Sequence, residues 1–160
     1  MRNVISIRVP NVPGVLSHGS GILASRAYNV DSLTVGATED PTISRMTIAL
    51  DVDADLAEQV RAQLQKIVTV VEAQNLSSVE HVERELALIR VETNTPQQRS
   101  EVFELTNIFR AKIVDVSPRS VLVEISGQSG KINAFLKTLH PYRFEMTRSG
   151  CIAAPRADLK

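Results

Sequence analysis

The stretch Asn11-Val12-Pro13-Gly14-Val15-Leu16 constrains the fold most, because the hydrophobic period changes across it. Before it, Ile5, Ile7 and Val9 alternate, which predicts a half-buried strand from Arg2 to Val9. After it, Val15, Gly19, Ile22, Leu23 and Ala27 recur at helical spacing and predict an amphipathic helix. Pro13 sets one backbone angle, and Gly14 omits the Cβ where the chain must turn or be approached closely. The first amides of a helix lack internal partners and point outward, which suits an anion such as a carboxylate. A Pro-Gly turn is also common punctuation between elements. The hexapeptide alone leaves both readings open.

The rest of the first half completes a pattern. Gly19 and Gly21 weaken the helix by roughly 1 kcal/mol each relative to alanine, which points to packing against a sheet. Tyr28-Asn29 ends the helix, Asn being tolerated where the backbone turns left-handed. Val30 to Thr38 reads as a second strand, Glu39-Asp40-Pro41-Thr42 as a hairpin loop, and Ile43 to Val52 as a third strand. Asp55-Leu56-Ala57-Glu58 has the form of a capping box for a helix with Leu56, Val60, Leu64 and Ile67 on its stripe. Thr69 to Gln74 reads as the fourth strand. Strand, helix, strand, strand, helix, strand is a split βαβ unit, with two helices on one face of an antiparallel sheet.

The order then repeats. Ser77-Ser78-Val79-Glu80-His81 is polar and aperiodic, so residues 77–81 read as a linker after a first domain at 1–76. Glu83 to Glu92 is the next strand, and Thr95-Pro96-Gln97-Gln98 supplies a cap, a proline at the first helical position and a glutamine after it. That helix carries Val102, Leu105, Thr106 and Phe109; strands Lys112 to Ser117 and Ser120 to Ser126 follow, turning at Pro118-Arg119. A last helix carries Ile132, Phe135, Leu136 and Leu139, and Tyr142 to Arg148 closes the sheet. The fold class is α+β: two ferredoxin-like βαββαβ modules, the second at 82–152, with 153–160 as a frayed tail. The first turn of the second half, Glu92-Thr93-Asn94-Thr95-Pro96, has no Pro-Gly. If ligand binding needs that turn, only the first module binds, and the second serves to dock on a partner.

Composition excludes several functions. Lys+Arg and Asp+Glu balance at 18 each, which gives no basic excess for a nucleic acid. RNA-recognition modules share this element order but stack bases on aromatics, and the first half has only Tyr28, at a helix end. No apolar run approaches the ~20 residues of a membrane span. The opening Met1-Arg2-Asn3-Val4-Ile5-Ser6 runs into a strand rather than a signal peptide. The one cysteine, Cys151, fits a reducing cytoplasm and reads as a core or tail thiol. His18, His81 and His140 show no metal-ligand spacing, so no metal site is expected. Glu80, Glu83 and Glu85 around His81 read as a solvated charged strand start, given the interleaved Arg84. Gly127-Gln128-Ser129-Gly130-Lys131 has the wrong glycine spacing for a phosphate loop, and Ser129 reads as a helix cap. No catalytic constellation is visible.

A free amino acid fits better. Its carboxylate can take the amides at Gly14, Val15 and Leu16, helped by the helix dipole. Asn11 and Asn29 offer oxygens to an ammonium and donors to the carboxylate, although either could be a mere turn former. Val12, Leu16 and Val30 suit a short branched side chain.

These residues carry a resemblance. Asn11-x-Pro-Gly-Val-Leu-Ser, Tyr28-Asn29-Val30-x-Ser32-Leu33-Thr34-Val35 and Ser44-Arg45-Met46-Thr47-Ile48 resemble the small regulatory subunit of acetolactate (acetohydroxyacid) synthase, whose first half is an ACT domain. His81-Val82-Glu83-Arg84-Glu85-Leu86, the run Asn107 to Val116, Gly127-x-x-Gly130-Lys131 and Arg148-Ser149-Gly150 are similar to the same family. Ala27 departs from its usual glycine and His18 from its common arginine. The resemblance implies a non-catalytic cytoplasmic homodimer that activates a large catalytic subunit and confers feedback inhibition by valine, sometimes leucine or isoleucine. This chain would hold no cofactor, while the partner would bind thiamine diphosphate, Mg and FAD. The effector would lie between two ACT modules on Asn11, Val12, Pro13, Gly14, Val15 and Leu16, with Asn29 and Val30 from the other copy. A free-standing amino-acid sensor acting on another protein is the alternative.

Overall fold

The computed structural model describes residues 1–26 and 28–157. They form two compact units: Met1–Val82 with the segment starting at Cys151, and Glu83–Gly150. The first unit contains β1 (Arg2–Pro10), α1 (Val15–Ser25), β2 (Val30–Ala37), β3 (Ile43–Asp51), α2 (Ala54–Gln65), β4 (Glu72–Asn75) and a 3-10 turn at Leu76–Ser78. β5 (His81–Glu92) begins there and runs into the second unit, which adds α3 (Pro96–Ile108), β6 (Lys112–Val116), β7 (Ser120–Gly127), α4 (Ser129–Thr138) and β8 (Phe144–Arg148). β9 (Ile152–Pro155) follows. The sheets run β2-β3-β1-β4 and β6-β7-β5-β8, all antiparallel. Both units are α+β, and both carry the ferredoxin-like strand order.

Register explains the first core. Ile5 pairs with Ile48 and Ile7 with Met46, and the same two β3 residues pair with Leu33 and Val35 of β2. Directly paired residues share a face, so one side of this sheet is continuously aliphatic. Val15 and Leu23 of α1 and Val60 and Leu64 of α2 close over it. Gly19 is buried, and a Cβ there would meet Met46 at 3.7 Å, as expected of a helix packed on a sheet. Gly21 differs from expectation: it is exposed with open space around it, so packing does not account for it. Ala27 and the side chain of Ile22 lie outside the described residues.

Local chemistry moves three boundaries. Asp53, not Asp55, caps α2: its Oδ1 accepts the Leu56 amide at 2.8 Å, so the helix starts at Ala54. The helix ends at Gln65, and Ile67 packs on the core from the connection beyond it. β4 starts at Glu72 rather than Thr69, after the Val70 amide has bonded back to the Ile67 carbonyl.

In the second unit, Ala87, Ile89 and Val91 of β5 and Val121, Val123 and Ile125 of β7 face Val102 of α3 and Ile132 and Phe135 of α4. Thr106, on the expected stripe, is buried because its hydroxyl donates to the Val102 carbonyl at 2.8 Å. Phe109 meets Phe135 edge-on, with ring centroids 5.2 Å apart.

Where a linker and a frayed tail were expected, part of the chain is ordered. Leu76 is buried in the 3-10 turn, and the Val4 amide donates to Ser77 Oγ at 2.9 Å. β9 pairs with β5, and the Arg156 amide donates to the Glu80 carbonyl at 3.1 Å. Cys151 and Ala153 pack with Val4, Ala49, Leu76 and Val79 on the face of the first sheet opposite α1 and α2. Residues 158–160 of the expected tail lie outside the described residues.

Candidate functional site

The turn between β1 and α1 begins where β1 leaves the sheet. The Asn11 amide donates to the Thr42 carbonyl at 2.7 Å, and Asn11 Nδ2 to the Pro41 carbonyl at 3.3 Å. Asn11 is thus tied to the β2–β3 hairpin, and its side-chain oxygen is left as the acceptor. The hairpin is held in turn by Asp40, whose Oδ1 accepts the Thr42 amide at 2.9 Å and the Thr42 hydroxyl at 2.7 Å. Those two bonds, the hydroxyl first, hold the Asp40 carboxyl below its ordinary range.

Gly14 occupies the N-cap of α1 with φ +87° and ψ −14°. This left-handed conformation is open to glycine and strained for a side chain. A side-chain cap needs an extended backbone at that position. Asp53 and Thr95, which cap α2 and α3, have it, with φ −72° and ψ 169° in one and φ −132° and ψ 155° in the other. Gly14 cannot act that way, and α1 has no side-chain cap bond and no acidic residue in its first turn. Its first amides and the positive end of its dipole therefore face outward without a carboxylate of the protein's own.

The expected site residues separate into two groups. Asn11, Val12, Pro13, Gly14 and Leu16 are exposed around the turn, Val12 at 55% and Leu16 at 46%. Val15 belongs to the core at 8% exposure, so its part in any site is limited to its backbone. Asn29 and Val30 lie at the other end of α1, where the Asn29 carbonyl accepts the Asp51 amide at 3.1 Å. An 11-residue helix is about 16 Å long, so one chain does not bring the two groups together. Val30 is exposed at 37%, as is Val35 at 47%, on β2, an edge strand of its sheet.

Other candidate residues are structural. His81 Nδ1 lies 2.9 Å from the Val79 carbonyl, and no cluster that could hold a metal occurs among the described residues. Cys151 is buried, as a core thiol should be. Lys131 donates to the Ser126 carbonyl at 3.0 Å, closing the glycine turn rather than awaiting a phosphate. Ser129 does not cap α4: Gln128 occupies the N-cap, and the Ser129 hydroxyl donates to Glu85 Oε2 at 2.9 Å. Glu85 itself overturns the expectation of a solvated carboxylate. It is buried, and Arg148 grips it through Nε at 2.6 Å and a second nitrogen at 2.9 Å. That bond holds the Arg148 guanidinium firmly in its charged form. The local sequence around Glu85 gave no signal of this, because its partner lies 63 residues away.

The fold and the turn define a class: an ACT domain followed by a second ferredoxin-like module. Residues 5–72 match the family described as the AHAS small subunit-like ACT domain, and residues 84–157 match that of the small subunit of acetolactate synthase. A probable acetolactate synthase small subunit from Archaeoglobus fulgidus is 42% identical, covering 100% of each chain. The isozyme 3 small subunit of acetolactate synthase from Escherichia coli is 40% identical, over 99% of this chain and 98% of its own. The crystal structure of the acetolactate synthase small subunit from Thermotoga maritima superposes with a TM-score of 0.87 at 35% identity, covering 99% of both chains. The chain belongs to the acetolactate synthase small subunit family. Among the described residues no helix is long and apolar enough to cross a membrane.

Proposed function

We propose that the chain is a non-catalytic cytoplasmic subunit that binds a large acetolactate synthase subunit, raises its activity and makes it sensitive to valine. The cofactors, thiamine diphosphate with Mg and FAD, belong to that partner. One observation carries the reading: the left-handed Gly14 opens α1 with no cap and no carboxylate, in an exposed turn beside Asn11. The amino acid's carboxylate takes the α1 amides, the Asn11 oxygen receives its ammonium, and Val12 and Leu16 flank its side chain. A homodimer completes the site. Running two copies of α1 antiparallel across their β2 edges sets Asn29 and Val30 of one copy against the turn of the other. The open edge and the exposed Val30 and Val35 favour that pairing. Valine stabilises one dimer geometry, and its unequal affinity for two geometries is what regulates.

Gly14→Asp tests this. A Cβ at Gly14 has no atom within 4 Å, so the new carboxylate has room to stand before the amides. Like charges in one place are worth several kcal/mol, so valine affinity by calorimetry falls on the order of 100-fold while activation of the catalytic subunit persists. Gly14→Ala carries the same backbone strain without the charge and loses much less affinity. Equal affinities in Gly14→Asp and the unaltered chain would place valine elsewhere.

A further inference from the structure

We propose that Ser32 and Thr34 clamp the segment returning from the second unit onto β2, and so couple the effector site to that unit. The inference deepens the proposed function and rests on it. β2 opens with Asn29 and Val30, the effector residues furthest from the Gly14 turn. Its pairing with β3 slips immediately afterwards: Val30 pairs with Leu50 and Ser32 with Ala49, leaving Asp31 as a bulge. A bulge re-aims the side chains that follow it and is a place where a strand can adjust. Beyond it, Ser32 and Thr34 share one face of the strand, the one opposite Leu33, which packs on the α1–α2 core.

What they hold is the chain's re-entry point. The second unit ends at Gly150, whose φ of +83° turns the backbone, and the first unit resumes at Cys151. The Cys151 amide donates to Ser32 Oγ at 3.2 Å, and the Thr34 hydroxyl donates to the Cys151 carbonyl at 3.0 Å. Both backbone groups of one residue are thus held by two side chains of the effector strand. Cys151 is 1% exposed and packs against Val4, Ala49 and Leu76, while the two bonds to Ser32 and Thr34 are half-buried, so a shift of β2 is felt there directly. An effector that sets the bulge between Val30 and Ser32 therefore also sets where the chain from the second unit enters the first. Ser32 and Thr34 are positioning residues, since neither reaches the effector.

The test uses the full chain with its catalytic subunit, comparing the unaltered chain with the double variant Ser32→Ala, Thr34→Val. Calorimetry shows valine affinity retained and activation persists, while the inhibition reached at saturating valine shrinks several-fold. Thr34→Ser, which keeps a hydroxyl, stays near the unaltered chain. In hydrogen exchange, saturating valine slows residues 150–153 in the unaltered chain and not in the double variant, a response that a merely structural role would not produce. Unchanged inhibition with both hydroxyls gone overturns the proposal, as does inhibition lost only in step with valine affinity. Failure of the unaltered chain to bind valine overturns both this inference and the reading beneath it.

Discussion

The two units share a strand order yet begin their helices in opposite ways. In each, the residue after the first strand ties back to the neighbouring hairpin: the Asn11 amide to the Thr42 carbonyl, the Thr93 amide to the Arg119 carbonyl. From there the first unit turns through a left-handed glycine and leaves the start of α1 uncapped. The second passes through extended Thr95, whose hydroxyl accepts the Gln98 amide at 3.1 Å, while Gln98 returns its own oxygen to the Asn94 amide at 2.7 Å. The start of α4 also lacks a side-chain cap, but the buried Glu85 carboxylate accepts from Ser129 in its first turn. The second unit caps α3 with its own side chains and bonds a buried carboxylate to the first residue of α4, whereas the first unit leaves the start of α1 to the outside. The same topology thus presents an uncapped or a capped first helix according to what fills a single turn.

The largest effect tests the self-supplied carboxylate. Arg148→Ala removes the guanidinium that grips the buried Glu85, and losing one side of a buried pair typically takes 3–5 kcal/mol. The Arg148 side chain is 26% exposed, so the low end, about 3 kcal/mol, is expected in denaturant unfolding of the full chain. Glu85→Leu with Arg148→Met recovers most of it, because an apolar pair of similar volume avoids the stranded charge. Valine affinity stays unchanged in both. A silent Arg148→Ala would mean the buried pair beside α4 adds nothing to stability, and the contrast between the units would weaken.

A smaller effect separates the two first helices. Thr95→Ala removes a cap and loses about 1 kcal/mol of stability without touching valine binding. Gly14→Ala destabilises by a similar amount, about 1–2 kcal/mol, through the left-handed backbone rather than through a lost bond. The two variants share a magnitude and differ in cause. Thr95→Gly is expected to soften its loss to a few tenths of a kcal/mol, since glycine is tolerated at that position.

What could be read from sequence followed from what is local. The alternation of Ile5, Ile7 and Val9, the Pro13-Gly14 break and the Thr95-Pro96 start each carry their signal within a few residues, and the structure places each as read. The sequence pattern puts the capping box at Asp55, two residues late, because only the backbone decides that Asp53 faces the Leu56 amide. β9 gave no signal, because Ile152-Ala153-Ala154-Pro155 has no period and ends in a proline; tertiary pairing alone makes it a strand. Glu85 looked solvated for the same reason: burial and partner are set by a residue far along the chain. At the turn between β1 and α1 the residue types were legible. That Gly14 is itself the N-cap, and left-handed, followed only from the structure.

The smallest effect concerns pH, and it also divides the units. The β2–β3 hairpin that anchors Asn11 depends on the Asp40 carboxylate, whose folded pKa is lowered by the Thr42 hydroxyl and amide. A lowered carboxylate contributes stability that is complete above its unfolded value, near 3.8, and lost as pH falls through the lower folded value. The corresponding turn of the second unit uses no carboxylate: Ser117 Oγ accepts the Ser120 amide, and Arg99 donates to the carbonyls of Ser117 and Pro118. In an acid titration followed by amide NMR, Thr42 and Asn11 therefore shift together below the ordinary aspartate range, and Ser120 and Thr93 do not follow. Asp40→Asn removes the response at Asn11 while preserving the fold. Because Asp40 is exposed, global stability changes little, so the readout is local. If Asn11 were insensitive to this titration, the hairpin would not be what positions the Asn11 side chain.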